Sequence, residues 1–518
     1  MGKEVLRMDK ILKIYPNGFI ANKEITFAVN EGEIHALLGE NGAGKTTLMN
    51  ILFGLESHQG GDVLLNGNKV TINNPLEAIK LGIGMVHQHF KLIPSLSIAE
   101  NVMLGLEPKT KIGTFDFKKA AEVTRTIAEK YNMNIDPYAL IEDVSVGVKQ
   151  QVEIIKILVR GAKILVLDEP TAVLTPQETA GLFDELKHLR DMGHTIIFIS
   201  HKLNEVMEIC DRYTVLRSGE LVGVRNVSES SASEMSSMMI GRAVNLVMHK
   251  KSPKLGEELV RVDNLSYTNV IGIKKIDDVT FNIRRGEIVG VAAIEGNGQN
   301  ELAEILSGLR QYKEGQICIC GDNARSKSIR QLRENGMACI PEDRYVYGCS
   351  LTSSVKDNLL TDRYFKEPFS KGLFLATKEI DKKTDEMIET YNVKCKSKNE
   401  NVTMLSGGNI QKMIVAREFT NSPKVIIANQ PTRGIDVGSA EFIRTKLIEL
   451  SRKENVGVLL ITADFDELLE VSDRIIVMHA GKIVKCFPVA HDVDRFDMGE
   501  YMLGVKTGSD EEVGAAVV

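Results

Sequence analysis

At 518 residues the chain is too long for one core at the usual ~100–200 residues per domain, and its 43% hydrophobic and 26% charged residues exclude a disordered, collagenous or membrane-integral composition. Its 64 basic and 70 acidic residues leave a net charge of -6, which gives no global footprint for nucleic acid, and no nucleic-acid partner is expected. No run approaches the roughly 18 uninterrupted apolar residues of a spanning helix.

The opening MGKEVLRMDK has charges through it and no apolar segment, so no signal peptide is expected, and Leu6 stands where a myristoylation motif needs Ser or Thr. The chain is therefore expected to stay in the cytosol. The segment GENGAGKTT, Gly39 to Thr47, follows a predicted strand and opens a predicted helix with Leu48, Ile51, Leu52 and Leu55 on one face, the context a phosphate-binding loop requires. Gly39, Asn41, Gly42 and Gly44 let successive N–H groups turn toward a phosphate, Lys45 bridges β- and γ-phosphates, and the hydroxyl of Thr46, followed by Thr47, holds Mg²⁺. A more polar, helix-rich insertion runs from Gln88 to Ser145. The strand ILVLDEP then delivers Asp168 to a sheet edge, where it orients the metal, with Glu169 beside it to polarise an attacking water. PQETAGLFDELKHLRDMG places Leu182, Phe183, Leu186 and Leu189 on one helical stripe, and a further strand, IIFIS, leads to His201, a candidate sensor of the γ-phosphate. Strands and amphipathic helices in alternation give an α/β fold with parallel strands.

The pattern then repeats. RGEIVGVAAIEGNGQNEL matches EGEIHALLGENGAGKTTL at an offset of 254 residues, pairing Leu302 with Leu48 and Gly336 with Gly82. Pro431 and Thr432 match Pro170 and Thr171, and Asp473 and Arg474 match Asp211 and Arg212. The expected organisation is a first domain over 1–242, a polar linker over 243–258, a second domain over 259–507 and a disordered tail over 508–518. Seven cysteines lie at scattered positions without zinc-type spacing.

These residues in this order resemble an ATP-binding cassette (ABC) ATPase over nearly the whole chain. The resemblance implies two tandem P-loop cassettes, each a RecA-like sheet core with a helical subdomain and an N-terminal antiparallel β portion. Gln88 falls at the family's Q-loop, which touches metal or water and faces the membrane subunit. VSVGVKQQ, Val144 to Gln151, occupies the signature position, usually LSGGQ, and keeps Ser145 and Gly147 while Val146 and Val148 depart from it. Tyr15 reads either as the aromatic that stacks on adenine or as a core tyrosine.

In the second copy Gly296 and Gly298 remain, but Gln299 replaces the lysine, Asn300 the metal threonine, Asn429 the Walker B aspartate and Gln430 the catalytic glutamate. Glu342 stands at the Q-loop position and Ala463 at the histidine, whereas LSGGN keeps Ser406, Gly407 and Gly408, and RGID supplies Asp436 where the first copy has Thr175. Cassettes of this family close head to tail, each nucleotide lying between the Walker motifs of one and the signature of the other. That implies one site from Lys45, Thr46, Gln88, Asp168, Glu169 and His201 with Ser406, Gly407, Gly408 and Asp436. A second would join Gln299, Asn300, Asn429 and Gln430 with Ser145 and Gly147. One hydrolytic and one slow or inert site are expected, with ATP and Mg²⁺ as cofactors.

IPEDR, LSGGN and QPTRGIDVG resemble importer ATPases for monosaccharides and nucleosides, and EGNGQNEL, Gln430 and SVGVKQQVEI resemble the nucleoside branch. The resemblance implies two transmembrane permease subunits and, indirectly, an extracellular lipoprotein receptor. It also implies one copy of the chain per transporter and a peripheral place on the cytoplasmic face of the cell membrane. Monosaccharide import is the alternative. Ribosome-associated ABC translation factors resemble the chain less, because they carry two intact sites and a long charged helical linker.

Overall fold

A computed structural model describes residues 2–16, 18–40, 42–87, 90–171, 174–200, 202–241, 253–371, 374–490 and 493–517. The chain divides into two compact units, Met1–Asn245 and Leu246–Val518. Most of the expected linker, residues 243–252, lies outside the described residues, and the first strand of the second unit opens at Glu258.

In the first unit, among the described residues, a four-stranded antiparallel sheet has the order Ile20–Asn30, Glu4–Ile14, Gly60–Leu65, Asn68–Val70. A six-stranded sheet has the order Glu220–Asn226, Arg212–Arg217, Ile34–Leu38, Thr195–Ile199, Ile164–Asp168, Ile83–Val86, parallel throughout except at Glu220–Asn226. Ile164–Asp168 and Thr195–Ile199 are buried along their whole length, as β-branched runs covered on both faces are. The crossover between them is the helix Pro176–Asp191, whose buried residues are Leu182, Phe183, Leu186 and Leu189, the stripe expected from the spacing.

The helix Lys45–Leu52 is the wedge that positions the site. Its Leu48, Ile51 and Leu52 share one apolar cluster with Met8 and Phe27 of the antiparallel sheet and Val166 and Ile197 of the parallel sheet. Both layers thus pin the loop at its N-terminus. Leu55, expected on the same face, is 50% exposed because the helix ends at Leu52 and the chain turns away at Phe53. The polar insertion carries the helices Ile98–Met103 and Phe117–Lys130, and the helix Val146–Val159 follows it.

The second unit repeats the plan. Its antiparallel sheet has the order Lys274–Arg284, Glu258–Thr268, Glu314–Ile319, Asp322–Asn323, and its larger sheet Met337–Ile340, Val425–Asn429, Gly457–Ile461, Ile288–Ala293, Arg474–His479, Lys482–Phe487. Even irregularities are duplicated: the bulge after Met8 places Lys10 at φ 51°, and the one after Val262 places Asn264 at φ 49°.

The tail from Gly508, expected to be disordered, is instead ordered. Asp510–Gly514 forms a short helix with a capping box between Ser509 and Glu512. Ala516 is fully buried in the core of the second unit, and the Arg474 guanidinium donates to the Ala516 carbonyl at 2.6 Å. Composition alone misled here: the small apolar residues form no long stripe, and their burial comes entirely from tertiary contact.

Candidate nucleotide site

The first phosphate loop has the backbone its glycines allow. Gly39, Gly42 and Gly44 take φ of 155°, 82° and 98°. A Cβ on Gly44 would stand 2.4 Å from the Ala21 carbonyl oxygen, so the close approach of strand Ile20–Asn30 admits no side chain there. Asn22 Nδ2 donates to the Gly44 carbonyl at 3.1 Å and fixes the turn from the strand side. Lys45 is buried, and its Nζ donates to the carbonyls of Gly39 at 2.6 Å and Glu40 at 3.1 Å. Burial pulls the Lys45 pKa down, opposed by Glu169, Asp168 and Glu40. Tyr15 is half-buried, with its hydroxyl 3.4 Å from Thr47 Oγ1 and its ring stacked on Phe19 at 6.5 Å, beside the loop. Asn41, Gln88 and His201 lie outside the described residues.

At the end of Ile164–Asp168, burial and then the charge of Glu169 push the Asp168 carboxyl up to about 6, with Lys45 opposing. The loop offers the exposed Thr46 and the strand end the Asp168 carboxylate, the hard oxygen donors a divalent cation takes. The first unit therefore fits Mg²⁺. Glu169 is held at φ 48° while its N–H donates to the Ile199 carbonyl at 2.9 Å, a left-handed conformation that costs a non-glycine residue about 1–3 kcal/mol. Beneath this edge, the Thr171 hydroxyl bonds the buried Glu205 carboxylate at 2.7 Å, and Ser200 Oγ donates to it at 3.1 Å.

Ser145 caps the helix Val146–Val159. The Gly147 N–H donates to Glu178 Oε1 at 3.0 Å, while Glu178 Oε2 accepts from the Thr175 N–H at 3.0 Å and its hydroxyl at 3.2 Å. Sequence reasoning missed Glu178, although a Glu three residues after Thr175, just before an apolar run, is a readable capping box.

In the second unit Ser406 precedes the helix Gly407–Phe419, its Oγ accepting from Asn409 Nδ2 at 2.8 Å, and the Asp436 side chain caps Val437–Glu454 by accepting from the Ser439 N–H. A Cβ on Gly408 would lie 2.8 Å from Asp436 Oδ2, whereas one on Gly407 would meet nothing nearer than the Tyr345 hydroxyl at 3.4 Å. The phosphate loop keeps its shape, with Gly296 at φ 94° and Gly298 at 98°, and Gln430 keeps the strained conformation of Glu169 at φ 51°. The charges have gone: Asn429 Nδ2 donates to Asn300 Oδ1 at 3.2 Å, and the Ala463 N–H donates to Gln430 Oε1 at 3.3 Å. Glu342 is ion-paired with Arg433, and the Arg344 guanidinium donates to the carbonyls of Arg433 at 3.0 Å and Gly434 at 3.3 Å. Arg344 and Arg433, which sequence reasoning passed over, thus tie the Q-loop position to the segment leading into Asp436.

A glycine loop opening a buried helix, with its lysine in electrostatic reach of an acid pair at the end of the strand next but one in the sheet, on a two-layer plan built twice, defines a tandem P-loop nucleotide-binding protein. The ABC transporter domain profile matches residues 22–172 and 276–433, and the chain belongs to the ABC transporter family. It is an ATPase of that family. It is 43% identical to the guanosine import ATP-binding protein NupO of Bacillus subtilis (strain 168) over 93% of this chain and 94% of that protein. It is 41% identical to the glucose import ATP-binding protein TsgD13 of Haloferax volcanii over 96% of each, and 40% identical to the nucleoside import ATP-binding protein NupA of Lactococcus lactis subsp. cremoris over 92% and 94%. Among solved structures, an archaeal ribosome recycling factor, aABCE1, crystallised with the stalk protein aP1, shares the fold with a TM-score of 0.59 at 18% identity, over 92% of this chain and 88% of that one. No helix among the described residues is long and apolar enough to cross a membrane.

Proposed function

We propose that the chain couples ATP hydrolysis to the import of nucleosides. The observation that carries the catalytic half is the charged constellation of the first unit: Asp168 held up at about 6 beside Glu169 and a buried Lys45 on a phosphate loop. In this reading Tyr15 stacks on adenine and Lys45 meets the β- and γ-phosphates. Thr46, Gln88 and Asp168 hold Mg²⁺, which when bound screens the phosphate charge. Glu169 polarises the attacking water and His201 senses the γ-phosphate. Ser406, Gly407 and Gly408, with Asp436, serve the same nucleotide from the second cassette. Nucleotide binding and release then shift the chain between two states, and differential affinity for those states drives the cycle.

The partners in this reading are two transmembrane permease subunits and, through them, a substrate-binding lipoprotein. One copy of the chain serves each transporter on the cytoplasmic face of the membrane. Support for nucleosides comes from EGNGQNEL, Gln430 and SVGVKQQVEI, and from relatives named for guanosine and nucleoside import. Monosaccharide import is the second reading, favoured by the glucose relative at 41% identity. Reconstitution with the adjoining permeases and receptor in liposomes separates the two. Guanosine and related nucleosides should raise ATP turnover and accumulate inside, whereas stimulation by ribose or glucose alone would replace the nucleoside reading with the sugar one.

A further inference from the structure

The strained turn that carries Glu169 has to be held, and the two units hold theirs with different charges. What they share is a glutamate on the helix after the next strand, which receives the threonine just beyond the turn. The Thr171 hydroxyl donates to Glu205 of Leu203–Ile209 at 2.7 Å, and the Thr432 hydroxyl to Glu467 of Phe465–Val471 at 2.9 Å. In the first unit Ser200 Oγ joins the cluster, donating to Glu205 at 3.1 Å and accepting from the Lys202 N–H at 3.0 Å. Thr462 Oγ1 accepts from the Asp464 N–H at 3.1 Å in the second.

The units part at the residue that precedes this helix. Lys202 Nζ donates to the Thr171 carbonyl at 3.2 Å and lies 3.1 Å from Glu205 Oε1. In the second unit Asp464 stands there, and its carboxylate accepts from the Arg444 guanidinium at 2.7 Å. A carboxylate engaged as an acceptor offers the Thr432 carbonyl no donor. The cation comes instead from the helix Val437–Glu454, at a position that Phe183 holds in the first unit, counting from the caps Asp436 and Thr175. The first unit thus spends its cation on the backbone beyond Glu169, and the second spends it on a neighbouring helix.

Glu169 is held at φ 48° with its N–H on the Ile199 carbonyl, so the backbone on either side of it sets where its carboxylate points. We infer that Lys202, anchored by Glu205, is a positioning residue for Glu169. Its ammonium fixes the Thr171 carbonyl and with it the turn that aims the carboxylate, a tie that Asp464 cannot make in the unit without the catalytic charges. This rests on the reading that Glu169 polarises the attacking water. The Lys202 side chain is 31% exposed, so its removal leaves no buried hole.

The test is steady-state ATP turnover by the chain reconstituted with its permeases, with thermal melts of the same variants. Lys202→Met keeps the stem and removes the donor, and it should lower kcat roughly 10- to 100-fold, as a reacting group misplaced by ~1 Å does. Its KM for ATP should stay within about twofold, since the lost interaction is one made in the transition state. Lys202→Arg, which restores a donor, should recover most of the rate, and the melts should coincide. In a Glu169→Gln background, followed by single-turnover phosphate release, Lys202→Met should cost less than about twofold more, because the residue acts through Glu169. A Lys202→Met rate within about twofold of wild type overturns the inference, as does Lys202→Arg no faster than Lys202→Met, or an undiminished Lys202→Met effect in the Glu169→Gln background. Full turnover in Glu169→Gln alone overturns instead the reading on which the inference rests.

Discussion

The two cassettes differ least where the backbone is strained and most where charge is placed. Glu169 and Gln430 share a left-handed conformation, φ 48° and 51°, and both donate their N–H to the end of the neighbouring parallel strand. Lys45, Thr46, Asp168 and Glu169 have nevertheless become Gln299, Asn300, Asn429 and Gln430. A conformation that costs a side chain about 1–3 kcal/mol is thus held by the surrounding sheet and not by the chemistry it serves. The scaffold and the reacting charges are separable, and the chain has kept one while replacing the other.

The signature segments teach the reverse lesson about glycines. Gly147 and Gly408 are both retained, and at both a Cβ would fall 2.8 Å from a carboxylate oxygen of the next helix, Glu178 or Asp436. Gly407, where the first copy has Val146, faces no such obstacle. Packing accounts for the glycine kept in both copies and places no such demand at Gly407.

The comparison breaks most visibly at Glu169. Glu169→Gln should lower phosphate release by about 10²–10⁴, the usual loss on removing a general base, while Gln430→Glu leaves it within about twofold; steady-state turnover of the reconstituted complex checks both.

Asp168 comes next. Its raised pKa favours the neutral form, so its contribution to stability is complete below the ordinary 3.8 and is lost as pH rises through about 6. Asp168→Asn should stabilise the metal-free chain at neutral pH by on the order of 2–3 kcal/mol and flatten the pH dependence in denaturant melts. Nucleotide with Mg²⁺ needs the ionised form, so its affinity in the wild type should fall below about pH 6, read by titration calorimetry.

Lys45→Ala removes a hydrogen bond to a charged group, worth about 1.5–3 kcal/mol, and should weaken first-site nucleotide roughly 10- to 100-fold. Gln299→Ala should weaken the second by less, and equilibrium dialysis checks both. The smallest effect separates the two glycines: Gly408→Ala should cost about 1–3 kcal/mol of stability through overpacking. Gly407→Ala should stay within about 0.5 kcal/mol in the same melts yet lower turnover.

Much of this was legible in the sequence because its signals are local. The buried strands, the Leu182, Phe183, Leu186 and Leu189 stripe, the phosphate loops and the duplication all follow from spacing. What was not legible depends on distant contact. The ordering of the tail needs Arg474, the elevation of Asp168 needs its burial beside Glu169, and the Arg344 tie to Arg433 and Gly434 joins segments far apart in the chain. The strand Glu4–Ile14 was blurred for a different reason, since the bulge at Lys10 shifts the alternation of buried residues part-way along it.

In the proposed function, hydrolysis belongs to the charges of the first cassette alone. Vanadate trapping of a photoreactive ATP analogue on the reconstituted complex, followed by proteolysis between the cassettes, tests it directly. One trapped nucleotide per chain is expected, with the label on the fragment that carries Lys45. Two trapped nucleotides, or label on the fragment that carries Gln299, would contradict it.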